Sequence, residues 1–392
     1  MIDERTARVR PTPGQLSWQQ AGTGAFFHVG PSTFNGQEWS DGTDSPALFA
    51  PAGLDTDHWL ACAASFGARY AVLTAKHHDG FCLWPTATTT YSVAASPWRR
   101  GTADVVAEFA ASCRRFGIGF GVYLSPWDRN SPAYHDREAY DDLYCAQLTE
   151  LLTGYGDVAE IWFDGAGSEG RDYDWARIGA VCRRLQPGAM RFHLGDATIS
   201  WIGNEDGLAA DPVEYVVETV DGLRYRPPEC DVSLRDGWFH HDDETPKSLA
   251  QCLTIRDHSV GLGAGLLLNV PPAATGLIDP ADVVRCAEYG RAVRDEAART
   301  VPLTLTRRGP DTWHATAPAG RAVTAVVLGD DLRDGQRVHH HRVSADGVVV
   351  ADAGTVGVRR VHRWATPCEV SRIDVEVASA GPPRLSLAAV LA

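Results

Sequence analysis

The chain has 392 residues, more than one hydrophobic core usually supports, so two domains are expected. Its 44% hydrophobic and 22% charged residues are ordinary for a globular protein, and a net charge of −14 argues against a nucleic-acid partner, which needs a concentrated basic footprint. No run approaches the roughly 20 apolar residues of a membrane span, and MIDERTARVRPTPGQ lacks the apolar centre of a secretory signal, so a cytoplasmic location is expected.

From about residue 20 to 270, short apolar runs alternate with amphipathic segments. Phe26-Phe27 leads to His28. DTDHWLACAASFG (55–67) reads as a helix opening on an Asp cap, and Tyr70 to Thr74 as the strand after it. TADVVAEFAASCRRFG (102–117) is helical with Gly117 as its stop, and IGFGVYLS (118–125) is the next strand. DREAYDDLYCAQLTELLTGYG (136–156) is a long helix before the strand VAEIWFDG (158–165). WARIGAVCRRLQPG (175–188) is helical and leads to MRFHLGD; QCLTIRDHSVG (251–261) and GLLLNVPP (265–272) complete the series. Strand–helix repeats of this length imply a parallel sheet.

Several strands end abruptly in titratable and aromatic residues: TAKHHDGFCLW (74–84), VYLSPWD (122–128) and EIWFDG (160–165). A (β/α)8 barrel brings the C-terminal ends of its strands to one mouth, whereas an open sheet concentrates chemistry at one crossover behind a glycine-rich loop. GLGAG (261–265) precedes an apolar run and reads as a plain loop, so a barrel over residues 1–297 is expected. Beyond it, VPLTLTRRG, TWHATA, AVTAVVLG, VVVADAG and IDVEVAS are short alternating runs, and residues 298–392 read as an all-β sandwich. In that tail Trp313 and Trp364 read as exposed, and His339 to His341 as a strand or turn without a role. Nine cysteines, with no CxxC pair, read as free and mostly buried thiols.

Asp164 follows three large apolar residues and precedes a glycine, where a carboxylate is costly unless it is paired or used. Glu205 lies in the loop WIGNED, in which a side chain can move; on its own it reads as a solvated loop residue. Two carboxyl groups at one mouth ringed by aromatics would suit glycoside hydrolysis. Trp39, Trp84, Trp127, Trp162, Trp201 and Trp238 all fall in or beside segments expected at the mouth. His77 and His78, adjacent at a strand end, should point in opposite directions and so suit hydrogen bonding to hydroxyls better than a shared metal ion. Neither a metal nor another cofactor is expected.

FFHVG, Glu38-Trp39, TAKHHDGFCLW, FGVYLSPWDRN, YCAQLTELLTGYG, EIWFDGA, WIGNE, GWFHH and LLLNVPP together resemble the α-L-fucosidases of glycoside hydrolase family 29, over about residues 16 to 290. SPWDRN, WIGNE and GWF resemble the subgroup that prefers branched α-1,3/1,4-linked fucose. The resemblance implies a fucosylated oligosaccharide as the partner, Asp164 as nucleophile and Glu205 as general acid/base. It implies a fucose pocket of His28, Glu38, Trp39, His77, His78, Tyr123 and Trp162, with Trp238 as a wall. Trp127 and Asp128 would contact the leaving group. Two departures bear on substrate preference: Val29 follows His28 where the family usually has tryptophan, and the segment from Asp164 to Trp175 is short. The alternatives are a broad-specificity enzyme acting on aryl or α-1,2-linked fucosides, which would place its acid elsewhere, and a fucose-binding protein with little catalysis. The oligomeric state is left open.

Overall fold

The computed structural model describes residues 3–392; residues 1 and 2, where the first expected domain begins, lie outside the described residues. Its first part runs α1 (Pro13–Ala21), β1 (Thr23–Phe27), α2 (Pro31–Asn35), α3 (Thr56–Ser65), β2 (Tyr70–Lys76), α4 (Val105–Phe116), β3 (Gly119–Leu124), α5 (Arg137–Gly154) and β4 (Glu160–Trp162). It continues through α6 (Trp175–Leu185), β5 (Met190–Arg191), β6 (Ser200–Trp201), a hairpin of β7 (Val216–Thr219) and β8 (Gly222–Tyr225), β9 (Pro228–Ser233), α7 (Leu249–His258), β10 (Gly265–Asn269) and α8 (Pro280–Arg299). Eight strands form one parallel sheet in the order β5-β4-β3-β2-β1-β10-β9-β6. The sheet curls until its two edges meet through a single parallel bridge between Phe192 and Ile199. This is the expected TIM-like barrel, closed along a thin seam.

The local sequence explains the elements. Side chains of Asp55, Asp104, Asp136, Asp174 and Asp279 accept backbone N–H groups at the starts of α3, α4, α5, α6 and α8, satisfying donors that a helix start leaves orphaned. Gly117 closes α4 in the left-handed conformation (φ 65°). Every residue of β2 is buried, as expected of a parallel strand covered on both faces. No helix of the described residues is long and apolar enough to cross a membrane.

The barrel interior is aromatic and small. Trp18, Phe26, Tyr70, Val72, Tyr123, Trp162, Phe192 and Leu267 form a core of their own, separate from the larger one between sheet and helices. Gly24 makes room for it, since a Cβ there would lie 2.4 Å from the Tyr70 ring. Within this interior the Trp18 indole donates to Glu160 Oε2 (3.0 Å), while Tyr70 Oη and Trp162 Nε1 donate to the two oxygens of Glu229 (2.5 and 3.2 Å). Burial pushes Glu160 up and Glu229 up to about 7, so this carboxyl pair retains a proton near neutrality.

The C-terminal part is all β: β11 (Thr300–Pro302), β12 (Thr306–Arg307), β13 (Thr312–Thr316), β14 (Ala322–Asp330), β15 (Val338–Ala345), β16 (Val348–Ala353), β17 (Arg360–Glu369), β18 (Arg372–Ser379) and β19 (Leu385–Leu391). These make two antiparallel sheets, β11-β19-β14-β17 and β12-β13-β18-β15-β16. Trp313, read as exposed, is 7% exposed and sits in the core between them, and Trp364 packs against that core. The histidine run lies on β15, where His341 is buried against His362 with Nε2 atoms 2.6 Å apart. Arg363 ties the domain to the barrel by pairing with Asp257 and Glu296. Eight cysteines are buried and Cys368 is exposed, all of them free.

Candidate active site

The period-two alternation of the barrel strands carries the inward row upward into chemistry. Phe26 is followed at the next inward position by His28, Trp162 by Asp164, Glu229 by Asp231, and Leu267 by Asn269. Above the aromatic interior lies a cavity of about 240 Å³ lined by Phe26, His28, Glu38, Trp39, His77, His78, Trp162, Asp164, Ala166, Glu205, Asp231 and Trp238. Nine of the twelve expected site residues are among these: His28, Glu38, Trp39, His77, His78, Trp162, Asp164, Glu205 and Trp238.

Asp164 is fixed from two sides. The Ala166 N–H donates to Oδ1 (2.9 Å) and the Tyr123 hydroxyl to Oδ2 (3.0 Å). Tyr123 thus reaches the site through the carboxylate rather than as cavity wall. His78 Nε2 lies 3.5 Å from the same Oδ2. Ser125 Oγ donates its one proton to the Trp127 carbonyl (2.7 Å), so His78 Nδ1 must donate to Ser125 (2.7 Å). The network therefore leaves a lone pair on His78 Nε2, which is buried without a hydrogen-bond partner beside Asp164. Burial lowers the imidazole to about 4, which keeps it neutral near pH 7.

His28 follows the same logic. The Asn269 amide donates to Ser233 Oγ (2.9 Å) and the Trp238 carbonyl (2.8 Å), so its oxygen accepts from His28 Nδ1 (2.9 Å). Burial lowers His28 to about 3 and holds His77 well below its usual value. Three neutral, buried imidazoles thus border one space, an arrangement suited to hydroxyl groups rather than to an ionic ligand.

His77 and His78 do not diverge as strand alternation would require. β2 ends at Lys76, both histidines lie in the following turn, and their rings are 4.1 Å apart. Glu38 accepts the backbone N–H groups of Trp238 and Phe239 (2.8 and 3.2 Å) and bonds to His241 (2.6 Å), tying the loop after β1 to the loop after β9. Glu205 is exposed, but the Trp238 indole donates to its Oε2 (3.1 Å) and holds it at the cavity. Trp162 stacks on Phe192 at 3.9 Å and 9°.

Two expectations about the mouth need correction, those for Asp128 and Trp84. Asp128 is 4% exposed and bonded to the fully buried Lys76 (3.0 Å), so it does not line the cavity. Trp127 packs on two residues of the cavity wall, Trp39 (5.6 Å) and His78 (5.1 Å). Trp84 lies in the core, its indole donating to Glu150 on α5 (2.8 Å). Asp128 and Trp84 follow strand ends, but there the chain has already turned inward, onto Lys76 and onto α5.

Sequence reasoning missed Asp231, Glu229, Asn269 and His193. The signal existed in PECDVS (228–233), where two acids alternate with apolar residues at period two, but acids at alternate positions do not read as a buried strand. Asp231 is 2% exposed, accepts from the Trp201 indole (2.7 Å) and is raised well above the carboxylate range by burial.

Two carboxyl groups at one barrel mouth, walled by indoles and neutral imidazoles, make a glycosidase type of site. Comparison with known proteins agrees: the alpha-L-fucosidase family profile matches residues 9–296. Alpha-L-fucosidase 1 of Arabidopsis thaliana is 40% identical over 299 residues, covering 71% of this chain and 59% of its own. The chain spans about three-fifths of the length of such curated relatives. Among solved structures, SpGH29 superposes with a TM-score of 0.90 at 33% identity, covering 98% of both chains. A Ruminococcus gnavus GH29 fucosidase in complex with fucose superposes at 0.89 and 25% identity, over 98% of this chain and 95% of that one. The chain belongs to the alpha-L-fucosidase family, glycoside hydrolase family 29.

Proposed function

We propose that the protein is a retaining exo-α-L-fucosidase that removes terminal α-1,3/1,4-linked L-fucose from branched, Lewis-type oligosaccharides. The observation that carries this reading is that Glu205 of the WIGNE loop, held by Trp238, lines the same monosaccharide-sized cavity as Asp164.

In the first step Asp164 attacks the anomeric carbon, the glycosidic C–O bond breaks, and Glu205 gives its proton to the departing oxygen. The product is a fucosyl ester of Asp164. In the second step water attacks the same carbon as Glu205 takes its proton, and the ester bond breaks to regenerate Asp164. Two displacements give net retention. Tyr123 and the Ala166 N–H orient Asp164, while the free nitrogen of His28 accepts a sugar hydroxyl. The aromatic floor of Trp162 and Phe26 suits the apolar face and methyl group of fucose.

The test is L-fucose release from a Lewis-type branched trisaccharide, its α-1,2-linked counterpart and a nitrophenyl fucoside, with Asp164→Ala and Glu205→Ala in parallel. Release from the branched sugar, lost in Asp164→Ala and strongly reduced in Glu205→Ala, is expected. Activity confined to the aryl fucoside and little changed in Glu205→Ala would mean that the acid and the substrate class are different.

A further inference from the structure

Two titratable groups deep in the barrel take no part in the two displacements, yet they lie directly beneath them. Glu229 precedes Asp231 by two residues on β9, one inward position below the cavity, and Glu160 precedes Trp162 by two on β4. Both side chains are fully buried. Their carboxyl groups are hydrogen-bonded to each other, which requires a proton between them. Both oxygens of Glu229 already accept, from Tyr70 and Trp162, whereas Glu160 accepts at Oε2 from Trp18 and has no donor at Oε1. The proton therefore belongs to Glu160, and Glu229 is the member that ionises. The Tyr70 bond agrees, since 2.5 Å lies in the range of an O–H donor on a carboxylate.

A charge in that place is costly unless it is used. The donors that hold it, Tyr70, Trp162 and Glu160, are neutral, so it is solvated by dipoles and matched by no cation among them. The titratable groups within its reach are Glu160 from β4, Tyr70 from β2 and Asp231 from its own strand. Trp162, bonded to Glu229 Oε2, is also a wall of the sugar cavity, so one indole separates the carboxylate from the sugar. In a low-dielectric interior the field carries that far: it helps to push up Asp231, which lines the same cavity. The three imidazoles there are neutral and add no opposing charge.

On the proposed reaction, on which this inference rests, positive charge develops on the sugar as the glycosidic bond breaks. We infer that Glu229 is a positioning residue for that step: it holds Trp162 beneath the sugar and, acting through that ring, favours a positively charged sugar over a neutral one. Glu160 holds the proton and so keeps the pair at a single charge.

The experiment measures binding by calorimetry, above the pH of about 7 to which burial raises Glu229, for neutral L-fucose and for a fucose-configured iminosugar with a protonated ring nitrogen. It compares wild type, Glu160→Gln and Glu160→Gln/Glu229→Gln. In Glu160→Gln an amide replaces the acid, donating to Glu229 and accepting from Trp18, so the charge stays and both affinities should remain close to wild type. The double variant removes the charge and keeps an oxygen for the Trp162 indole. Its preference for the iminosugar over fucose should fall about tenfold, with kcat on a nitrophenyl fucoside falling alongside and fucose affinity little changed. A purely structural role would weaken both ligands equally; that unmoved preference would overturn the inference, as would loss of the preference in Glu160→Gln. Glu160→Gln/Glu229→Met removes the same charge with an apolar chain and decides the question if the first double variant does not fold. Wild-type protein that binds fucose but releases none from the nitrophenyl fucoside would instead remove the proposed reaction, and this inference with it.

Discussion

The most exacting prediction concerns the buried ion pair at the end of β2. Lys76 is fully buried, with Nζ 3.0 Å from Asp128 Oδ2 and 3.2 Å from the Tyr140 hydroxyl, over the rings of Tyr140 and Tyr144. Asp128 Oδ1 accepts the N–H groups of Asn130 and Ser131 (3.1 and 2.8 Å). Asp128→Asn keeps the volume and an oxygen for those two donors but leaves the ammonium without its counter-ion. Removing one partner of a buried pair costs about 3–5 kcal/mol, a large share of the roughly 5–15 kcal/mol that stabilises a typical protein. Lys76→Met/Asp128→Asn removes both charges and replaces a buried ammonium by an apolar chain of similar length. The double variant should therefore be more stable than Asp128→Asn alone, with a coupling of about 2 kcal/mol or more across the cycle. Urea unfolding followed by tryptophan fluorescence measures all four proteins. A loss under about 1 kcal/mol in Asp128→Asn, or a double variant destabilised by the sum of the singles, would refute the reasoning.

Tyr123→Phe removes a donor to Asp164 Oδ2 and should lower kcat/KM by about 10- to 100-fold, from roughly 1.5–3 kcal/mol for a hydrogen bond to a charged group; an unchanged value would dissociate Tyr123 from the carboxylate. Gly167→Ala would place a Cβ 1.8 Å from the Trp127 ring at φ 71°, so KM for the aryl fucoside should rise as Trp127 pushes on Trp39 and His78; wild-type KM would contradict this. Stability should also depend on pH in two opposing ways. His28 and His78, lowered to about 3 and about 4, stay neutral in the native protein while the unfolded chain takes up protons below about 6.5, so they cost stability as pH falls through that window. Asp79 and Glu229, raised to about 7 by burial, retain protons that the unfolded chain has lost, so they cost stability as pH rises from about 4 toward 7. His78→Gln should accordingly flatten the acid side of unfolding free energy against pH, and Glu229→Gln the neutral side; unaltered slopes would refute the assignment.

The barrel was legible because its strands are short apolar runs between capped helices, and that pattern depends on local rules alone. β9 escaped because its inward positions carry Glu229 and Asp231: the residues that make the floor of the site spoil the apolar signature of the strand. The cavity lining was legible through motif resemblance alone, since Glu38 and Trp238 are 200 positions apart and His28 and Asn269 are 241 apart, each pair joined by hydrogen bonds between loops and strand ends. Asp128 and Trp84 misled for the converse reason. Both follow strand ends, but whether a residue there faces the mouth or folds back onto a helix is decided by partners such as Lys76 and Glu150, more than fifty positions away. Trp313 was misjudged because an isolated indole in an alternating strand does not reveal which face the second sheet covers.

The central claim is that Asp164 becomes bonded to fucose. Incubation with a 2-deoxy-2-fluoro-fucosyl fluoride, which slows the second step more than the first, followed by proteolysis and peptide mass spectrometry, tests it directly. The account predicts one fluorofucosyl group on the peptide containing EIWFDG, at Asp164, and none in Asp164→Ala. A label on Glu205 or Asp231, or turnover of the reagent with no labelled peptide, would contradict it.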